Sequence, residues 1–355
     1  MDTSAEGIYF DDDGFCNYCS EFIKKLESLK DNFDIENLKK KIKLKKKNKE
    51  YDCIIGLSGG VDSCFTLHKA IEIGLKPLVV HLDNGWNSEL AQNNIENLVR
   101  SLNLDLHTHV IDWNEYKKMM KSFFEANVID IELLMDNAML AVNYQQASKH
   151  KLNYILGGTN TSSEGMAMPP NMNWFKYDKK NILNIIDKFG KNKINTYPII
   201  GSLNLVYYIL VKRIRWVSFL DYFNYNKFEA INTLKEKYNF KPYPYKHYES
   251  IFTRFYQGYL LPKKFGVDKR KLHLSTLIIS KQISRDKALN ELDSGHAYPS
   301  DEMLENDKLY FLKKMDWSNN DLEEYIKRPE IPHDYYKSEK KIFNFLLKTY
   351  KLLKF

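Results

Sequence analysis

Ser58, Gly59, Gly60, Val61, Asp62 and Ser63 bring two hydroxyls, two glycines and a carboxylate into one short run. Residues of these types handle anions. Glycine lets the backbone approach a phosphate closely, and serine hydroxyls donate hydrogen bonds to it. Asp62 would repel phosphate directly, so its chemistry there is to hold Mg2+ or to orient the loop. The run has neither the lysine of a GxxxxGK[ST] loop nor the spacing of GxGxxG, so the two common nucleotide fingerprints do not apply.

The elements that must position these groups can be read on either side. Ile54, Ile55 and Leu57 form the apolar, β-branched run of a buried parallel strand, and Phe65, Leu67 and Ala70 follow the loop at helical spacing. A strand that breaks at paired glycines into a helix aims the N–H groups of the helix start at a ligand. Residues 77–82 read as a second strand ending at Asp83 and Asn84, at the carboxyl end where α/β sheets bind ligands. A helix over 88–101 and a third strand over 107–111 follow. His107 and His109 point the same way on that strand, and without a third ligand nearby they read as structural. The helix over 131–150 has a buried stripe of Ile131, Leu134, Met135, Ala138 and Val142. Tyr154, Ile155 and Leu156 then form a fourth strand that enters Gly157, Gly158, Thr159, Asn160, Thr161, Ser162, Ser163 and Glu164. Two phosphate-type loops at neighbouring strand ends converge on one nucleotide site.

The bulk properties are those of a soluble globular protein. The chain has 355 residues, 43% apolar and 28% charged, which allows two domains or one core with an appendage. Part of the formal charge of +7 comes from Lys39, Lys40, Lys41, Lys43, Lys45, Lys46, Lys47 and Lys49, read as a solvated helix face or linker. That balance suits anionic small molecules as well as nucleic acid. No apolar stretch reaches the ~18 residues of a membrane helix. The first residues carry no secretory signal and the four cysteines form no disulfide scaffold, so the expected location is the cytoplasm.

Residues 8–15 read as two short strands around an acidic turn, followed by Cys16 and Cys19 in CNYC, half of a tetrahedral zinc site. Zinc with distant ligands, a redox pair and two plain cysteines all remain open. Residues 21–49 form a polar helical arm with a stripe of Phe22, Leu26, Leu29, Phe33 and Leu38.

The second half is aromatic and lysine-rich. Residues 198–223 read as a long apolar helix carrying Lys212, Arg213 and Arg215, which either snorkel to the surface or line an anion pocket. The stretch 243–275, which includes His247 and Glu249, interleaves Arg254, Gln257, Lys264 and Arg270 with Tyr248, Phe252, Phe255 and Tyr256. It fits a site for a phosphorylated or carboxylated sugar, an RNA surface, or a basic solvated face. Helices close the chain. Ser284 caps one, Asn320 and Glu323 are expected to form a capping box, and 337–353 is expected to turn Ile342, Phe345, Leu346 and Leu353 inward. The chain thus divides into an N-terminal hairpin and basic arm (1–49), an ATP-binding domain (50–200) and a mainly helical substrate-binding region (201–355).

The loop at 58–63 resembles the SGGxDS pyrophosphate loop (PP-loop) of ATPases that cleave ATP between the α and β phosphates. NAD synthetase, GMP synthetase, asparagine synthetase and several tRNA-modifying enzymes share it. GGTNTSSEG at 157–165 is similar to the GTxNxxE element of NAD synthetase, whose glutamate assists with metal and phosphate. One branch resembles this chain through most of its length: the N-acetyl sugar amidotransferases of O-antigen, pseudaminic or legionaminic acid and flagellin-glycan synthesis. The segments that carry the likeness are YFDDDGFCNYC (9–19), IIGLSGGVDS (54–63), VHLDNGWNSELA (80–91), GGTNTSSEG (157–165) and HYESIFTRFYQGYLLPKKFGVDKRKLHLS (247–275).

The resemblance implies an α/β fold of the adenine-nucleotide alpha-hydrolase type. That is a parallel sheet flanked by helices, with a mainly helical C-terminal region and a small N-terminal cysteine-containing segment. It implies ATP and Mg2+, with Ser58, Gly59, Gly60, Asp62, Ser63, Asp83, Asn84, Gly158, Thr159 and Glu164 around the nucleotide. Asp62 and Glu164 would hold the metal, and Asp62, Arg254, Lys264 and Arg270 would act in catalysis. The implied reaction turns an acetamido group of a sugar, free or nucleotide-linked, into an acetamidino group through an O-adenylyl imidate and ammonia, with no covalent protein nucleophile. Ammonia would come from a separate glutaminase and a cyclase-like protein, since no glutaminase site is recognisable here, and no nucleic acid or membrane insertion is implied. Family members carry another CxxC just before the segment with which this chain begins, so a four-cysteine Zn2+ site is expected to be incomplete at Cys16 and Cys19. The alternatives are a PP-loop enzyme that adenylates and then thiolates or aminates a tRNA base, and a non-catalytic nucleotide-binding scaffold.

Overall fold

The computed structural model describes residues 1–29, 33–44, 50–190, 193–293 and 298–352. Lys45, Lys46, Lys47, Lys49 and Leu353 therefore lie outside the described residues. Five parallel strands form one sheet: β1 (Cys53–Gly56), β2 (Pro77–Asp83), β3 (Leu106–Val110), β4 (Tyr154–Gly157) and β5 (Arg215–Ser218). Their order is β3-β2-β1-β4-β5, in register from Ile54 opposite Leu78 and Ile155, through His81 opposite Thr108, to Ile155 opposite Trp216.

The helices in chain order are α1 (Asn17–Leu29), α2 (Ile35–Leu44), α3 (Val61–Glu72), α4 (Glu89–Ser101), α5 (Trp113–Glu125), α6 (Leu133–Lys149), α7 (Thr161–Glu164) and α8 (Lys179–Phe189). Then come α9 (Ser202–Val206), α10 (Lys227–Tyr238), α11 (Ile251–Phe255), α12 (Lys269–Ile279), α13 (Arg285–Asp293), α14 (Asp301–Met315), α15 (Asn319–Lys327) and α16 (Lys340–Leu352).

Alternation along the strands explains why the sheet is covered on both faces. Cys53, Ile55, Leu57 and Val79 pack on one side with Leu67 and Ala70 of α3 and Leu98 of α4. Ile54, Leu78 and Val80 pack on the other with Ala141 and Val142 of α6. A strand buried on both faces is a near-continuous apolar run, which is how β1 and β2 read in sequence. A third and larger core lies beyond the sheet, where α5 and α6 meet the C-terminal helices through Phe123, Phe124, Phe252, Phe255, Phe311 and Tyr325.

In this strand order the chain reverses direction between β1 and β4. The carboxyl ends of those two neighbouring strands open the crevice in which doubly wound sheets bind ligands. The two glycine-rich loops follow these two strands, 58–60 after β1 and 158–160 after β4.

Four expectations are corrected here. Residues 198–223 form no long helix. α9 runs into a π-helical turn (Tyr207–Val211), Arg213 takes a positive φ of 55°, and the chain then enters β5. The sheet thus extends past residue 200, and Lys212, Arg213 and Arg215 are exposed. The N-terminal hairpin is a turn closed by one bridge, Phe10 to Cys16, rather than two strands. The capping box of α15 is made by Ser318 and Asp321, not Asn320 and Glu323. On α16 it is Phe343 that packs inward, against Phe175 and Tyr177, while Ile342 and Phe345 are exposed. Ser284 does cap α13, accepting from the Lys287 amide at 3.2 Å. Among the described residues no helix is long and apolar enough to cross a membrane.

Candidate functional site

The loop after β1 is shaped by its two serines. The Ser63 Oγ accepts from the Ser58 amide at 3.2 Å and lies 3.1 Å from the Ser58 Oγ, and the Ser58 Oγ accepts from the Gly60 amide at 3.2 Å. The loop folds back on the first turn of α3, whose leading amides have no intrahelical acceptor. Gly59 takes φ +82°, and a Cβ there would meet the Ala91 carbonyl oxygen at 2.7 Å. Gly158 brings the second loop against the first, and its Cβ would lie 2.9 Å from the Ser63 amide nitrogen. Neither position accepts a side chain: Gly59 is required by the close approach of the first loop to α4, and Gly158 by the approach of the two loops.

Asp62 accepts a hydrogen bond from the Tyr225 hydroxyl. Burial raises its pKa, and the negative charge of Glu164 adds to the rise. Glu164 is half-buried, and the Lys246 ammonium, 2.7 Å away, overrides its desolvation and holds that carboxyl low. The donors gathered here are hydroxyls and carboxylates, a hard-oxygen set, and the carboxylates oppose each other electrostatically. A Mg2+ ion taking one or two carboxylates together with substrate phosphates fits that set.

The C-terminal half reaches the site through the segment between α10 and α11. Asn94 holds it to α4 by two 2.9 Å bonds to the backbone of Lys241. The Tyr243 hydroxyl donates to the Gly59 carbonyl at 2.9 Å, and Glu249 lies over the loop, its Oε1 2.9 Å from where a Gly60 Cβ would be. Ser88 donates to the Glu249 carbonyl and Ile251 to that of Trp86, which joins this strap to the loop after β2.

One cavity of about 780 Å³ runs from Ser58, Asp62, Ser63, Gly158, Thr159 and Glu164 to a second group of charges. At that end Glu132 accepts from Gln257 at 2.9 Å and from Lys269 at 3.1 Å. Lys176 bridges Asp130 at 2.6 Å and Asp136 at 2.8 Å. Arg254 forms a bidentate pair with Asp307, 2.5 and 2.6 Å, and Arg270 chelates Asp268. Such forked pairs hold a guanidinium in a fixed orientation.

The expected site residues therefore divide. The glycine loops, Asp62, Glu164 and Asn84 surround one space, and Arg254 and Arg270 line it farther along. Asp83 does not line the cavity; it accepts from the Gly85 amide at 2.9 Å and shapes the turn after β2. Lys264 lies away from the cavity, contrary to its expected catalytic role. Its Nζ donates to the Tyr325 and Arg328 carbonyls, both at 2.6 Å, and so closes the end of α15. Burial pushes that ammonium down to about 8, so desolvation offsets part of what the bonds contribute. Lys264→Met is expected to lower stability by about 1–2 kcal/mol with turnover per folded molecule unchanged. Reduced turnover with an unaltered melting curve would return Lys264 to the chemistry.

Cys16 and Cys19 place their sulfurs 3.1 Å apart, and burial together with the Cys16 contact pushes the Cys19 thiol up to about 11. Cys53 and Cys64 belong to a different core from Cys16. Among the described residues no group of three or more His, Cys, Asp or Glu side chains is gathered to hold a metal, so the zinc expectation finds no ligand set. His107 and His109 share a face of β3, and burial lowers both.

Tyr225, Lys227 and Lys246 at the phosphate end, and Glu132, Asp136 and Lys176 at the other, went unread in the sequence. Glu132 and Asp136 share the start of α6, the others come from elsewhere in the chain, and no local pattern marks them.

Residues 249–351 match the family model described as LPS biosynthesis protein WbpG-like, C-terminal domain. The match covers α11 to α16 and includes Glu249, Arg254, Gln257, Lys269 and Arg270, so it carries the lipopolysaccharide-related resemblance over the part of the chain that forms the far end of the cavity. No curated protein matches the chain. Among solved structures, a 4-thiouridine synthetase–RNA complex with bound ATP is 17% identical over 52% of this chain and 40% of that chain, with a TM-score of 0.30. This chain thus spans about 40% of that protein's length. NMN synthetase from Francisella tularensis is 15% identical over 65% of this chain and 98% of that one, with a TM-score of 0.28. An NH3-dependent NAD synthetase from Campylobacter jejuni subsp. jejuni NCTC 11168, in complex with nitrate, is 15% identical over 62% and 93%, also with a TM-score of 0.28.

Proposed function

We propose that this chain is an ATP-dependent, AMP-forming amidotransferase of lipopolysaccharide-type sugar synthesis, converting an acetamido group of its sugar into an acetamidino group. The observation that supports this reading is the single cavity. It starts at two phosphate-type loops and continues to a polar end formed with residues of the WbpG-like segment. A nucleotide at one end and a sugar at the other would meet in the middle.

The chemistry requires activation, because an amide oxygen is a poor leaving group and its carbon a poor electrophile. Attack of that oxygen on the α-phosphate gives an O-adenylyl imidate and releases pyrophosphate. Ammonia then adds to the carbon and AMP departs. The Ser58 and Ser63 hydroxyls and the leading amides of α3 would bind the departing pyrophosphate. Mg2+ on Asp62 and Glu164 would neutralise charge on the phosphates. Lys246 balances Glu164, and Arg254 and Arg270, held by Asp307 and Asp268, present fixed donors to the sugar. A separate glutaminase and a cyclase-like partner would supply ammonia.

The test is to incubate the purified protein with Mg-ATP, ammonium and a panel of acetamido sugars, free and nucleotide-linked. Sugar-dependent AMP, with a mass change equal to oxygen replaced by NH, is expected for at least one member. AMP formed with tRNA and with no sugar would replace the substrate class.

A further inference from the structure

The proposed reaction leaves one proton unassigned. When ammonia adds to the imidate carbon, the new nitrogen carries a positive charge and can depart again in competition with AMP. While it keeps its extra proton it has no lone pair with which to expel AMP. A base beside the reacting carbon therefore favours the forward direction.

The strap supplies a candidate that the phosphate chemistry does not use. His247 has φ +65°, a left-handed backbone conformation uncommon for a residue with a side chain. Such conformations persist where surrounding structure holds them, and they cluster at functional sites. The ring lines the cavity, its Nδ1 is 3.9 Å from the Glu249 Oε1, and Glu249 itself lies over Gly60. The His273 ring, from α12 and also lining the cavity, packs edge-on at 5.4 Å between centroids. Glu249 and His273 therefore flank an imidazole that lines the cavity beside the pyrophosphate loop. A base oriented through one ring nitrogen by a carboxylate keeps the other nitrogen for the substrate, and the 3.9 Å separation is of the kind that tightens once substrate is bound.

We propose that His247 is the general base of the amination step and that Glu249 is its positioning residue. This rests on the amidotransferase reading. The nitrogen lone pair of ammonia forms the C–N bond, and the C=N π pair of the imidate, whose nitrogen still carries the amide proton, moves onto that sugar nitrogen. His247 takes one proton from the added nitrogen, whose freed pair then forms the C=N bond of the amidinium as the C–O bond to AMP breaks and AMP leaves with that pair. The imidazolium returns its proton to solvent. Glu249 on the strap, Glu164 on α7 and His273 on α12 interact with the ring, and Lys246, Lys227 and Lys269 surround those partners.

The experiment compares His247→Gln with the unaltered protein in two assays. One is sugar-dependent exchange of labelled pyrophosphate into ATP, which reports adenylation. The other is product formation with ammonia or with hydroxylamine, whose adduct is acidic enough to lose its proton to water. The substitution is expected to cut amidine formation from ammonia by about 10²-fold or more, leave exchange within about threefold, and leave the hydroxylamine reaction far less affected. Glu249→Gln should show the same pattern more weakly. A parallel fall in exchange would show His247 serving the phosphates, and equal losses with both nucleophiles would show it is not a base. Either result overturns the proposal, as would product loss in both variants accompanied by unfolding in a melting curve. If the unaltered protein shows no sugar-dependent exchange, the amidotransferase reading itself has failed.

Discussion

Asp62→Asn is expected to reduce turnover by about 10²–10³-fold and to leave the folded state as stable as before or more so. The two effects share one cause. Asp62 is half-buried near Glu164, and desolvation and that like charge both raise its pKa, so the ionised carboxylate costs stability in the protein without its metal. Asparagine removes the charge yet still accepts the Tyr225 hydrogen bond. The folded pKa being raised, the stability Asp62 contributes is greatest where it is protonated and is lost as pH rises through the folded value. The advantage of the variant should therefore appear at neutral pH and vanish on acidification. Melting curves across pH, run beside AMP formation, check both halves. A strongly destabilised variant would mean that Asp62 is a structural residue.

Lys176→Met is the substitution with the largest expected cost in stability, about 3–5 kcal/mol, because it leaves the buried Asp130 and the half-buried Asp136 without their partner. Lys176 touches both Asp130 and Asp136, and Asp130 is 1% exposed. For Asp130 burial alone would raise the pKa, but Lys176 overrides it and the net direction is downward. Its contribution is therefore present above the unfolded carboxylate pKa and is lost as pH falls through the lower folded value. In the variant both stranded carboxyls protonate more readily, so its deficit should shrink as the medium becomes acidic. Denaturant titrations of Lys176→Met and of Lys176→Met with Asp130→Asn, at neutral and acidic pH, measure this. A deficit independent of pH, or no recovery in the double variant, would contradict the assignment.

Much of the phosphate end was legible because its information is local. The near-continuous apolar run of β1, the paired glycines, Ser58 before them and Ser63 in the first turn of α3 sit within one short segment, and their conformations follow from residue type. The second loop is local in the same way. What was illegible depends on contacts between distant segments. Lys246 is meaningful only because the strap carries it to Glu164, and Lys176 only because two aspartates on either side of the start of α6 converge on it. β5 was hidden because the apolar residues before and after Lys212 and Arg213 read as one run. The break is the positive φ of Arg213, with no glycine or proline to announce it. Lys264 and Arg270 look alike in sequence, yet one caps carbonyls at the end of α15 and the other lines the cavity. On α16 the spacing allowed more than one inward face, and the contact of Phe343 with Phe175 decides it.

The central claim is that the amide oxygen of the sugar becomes the leaving group by attacking the α-phosphate. A sugar whose acetamido carbonyl carries isotopically heavy oxygen tests it most directly, with Mg-ATP and ammonium in ordinary water and mass spectrometry of all products. The account predicts that the heavy oxygen appears in AMP and that amidine and pyrophosphate carry none. Heavy oxygen in pyrophosphate or inorganic phosphate, or retained on the aminated sugar, would contradict it.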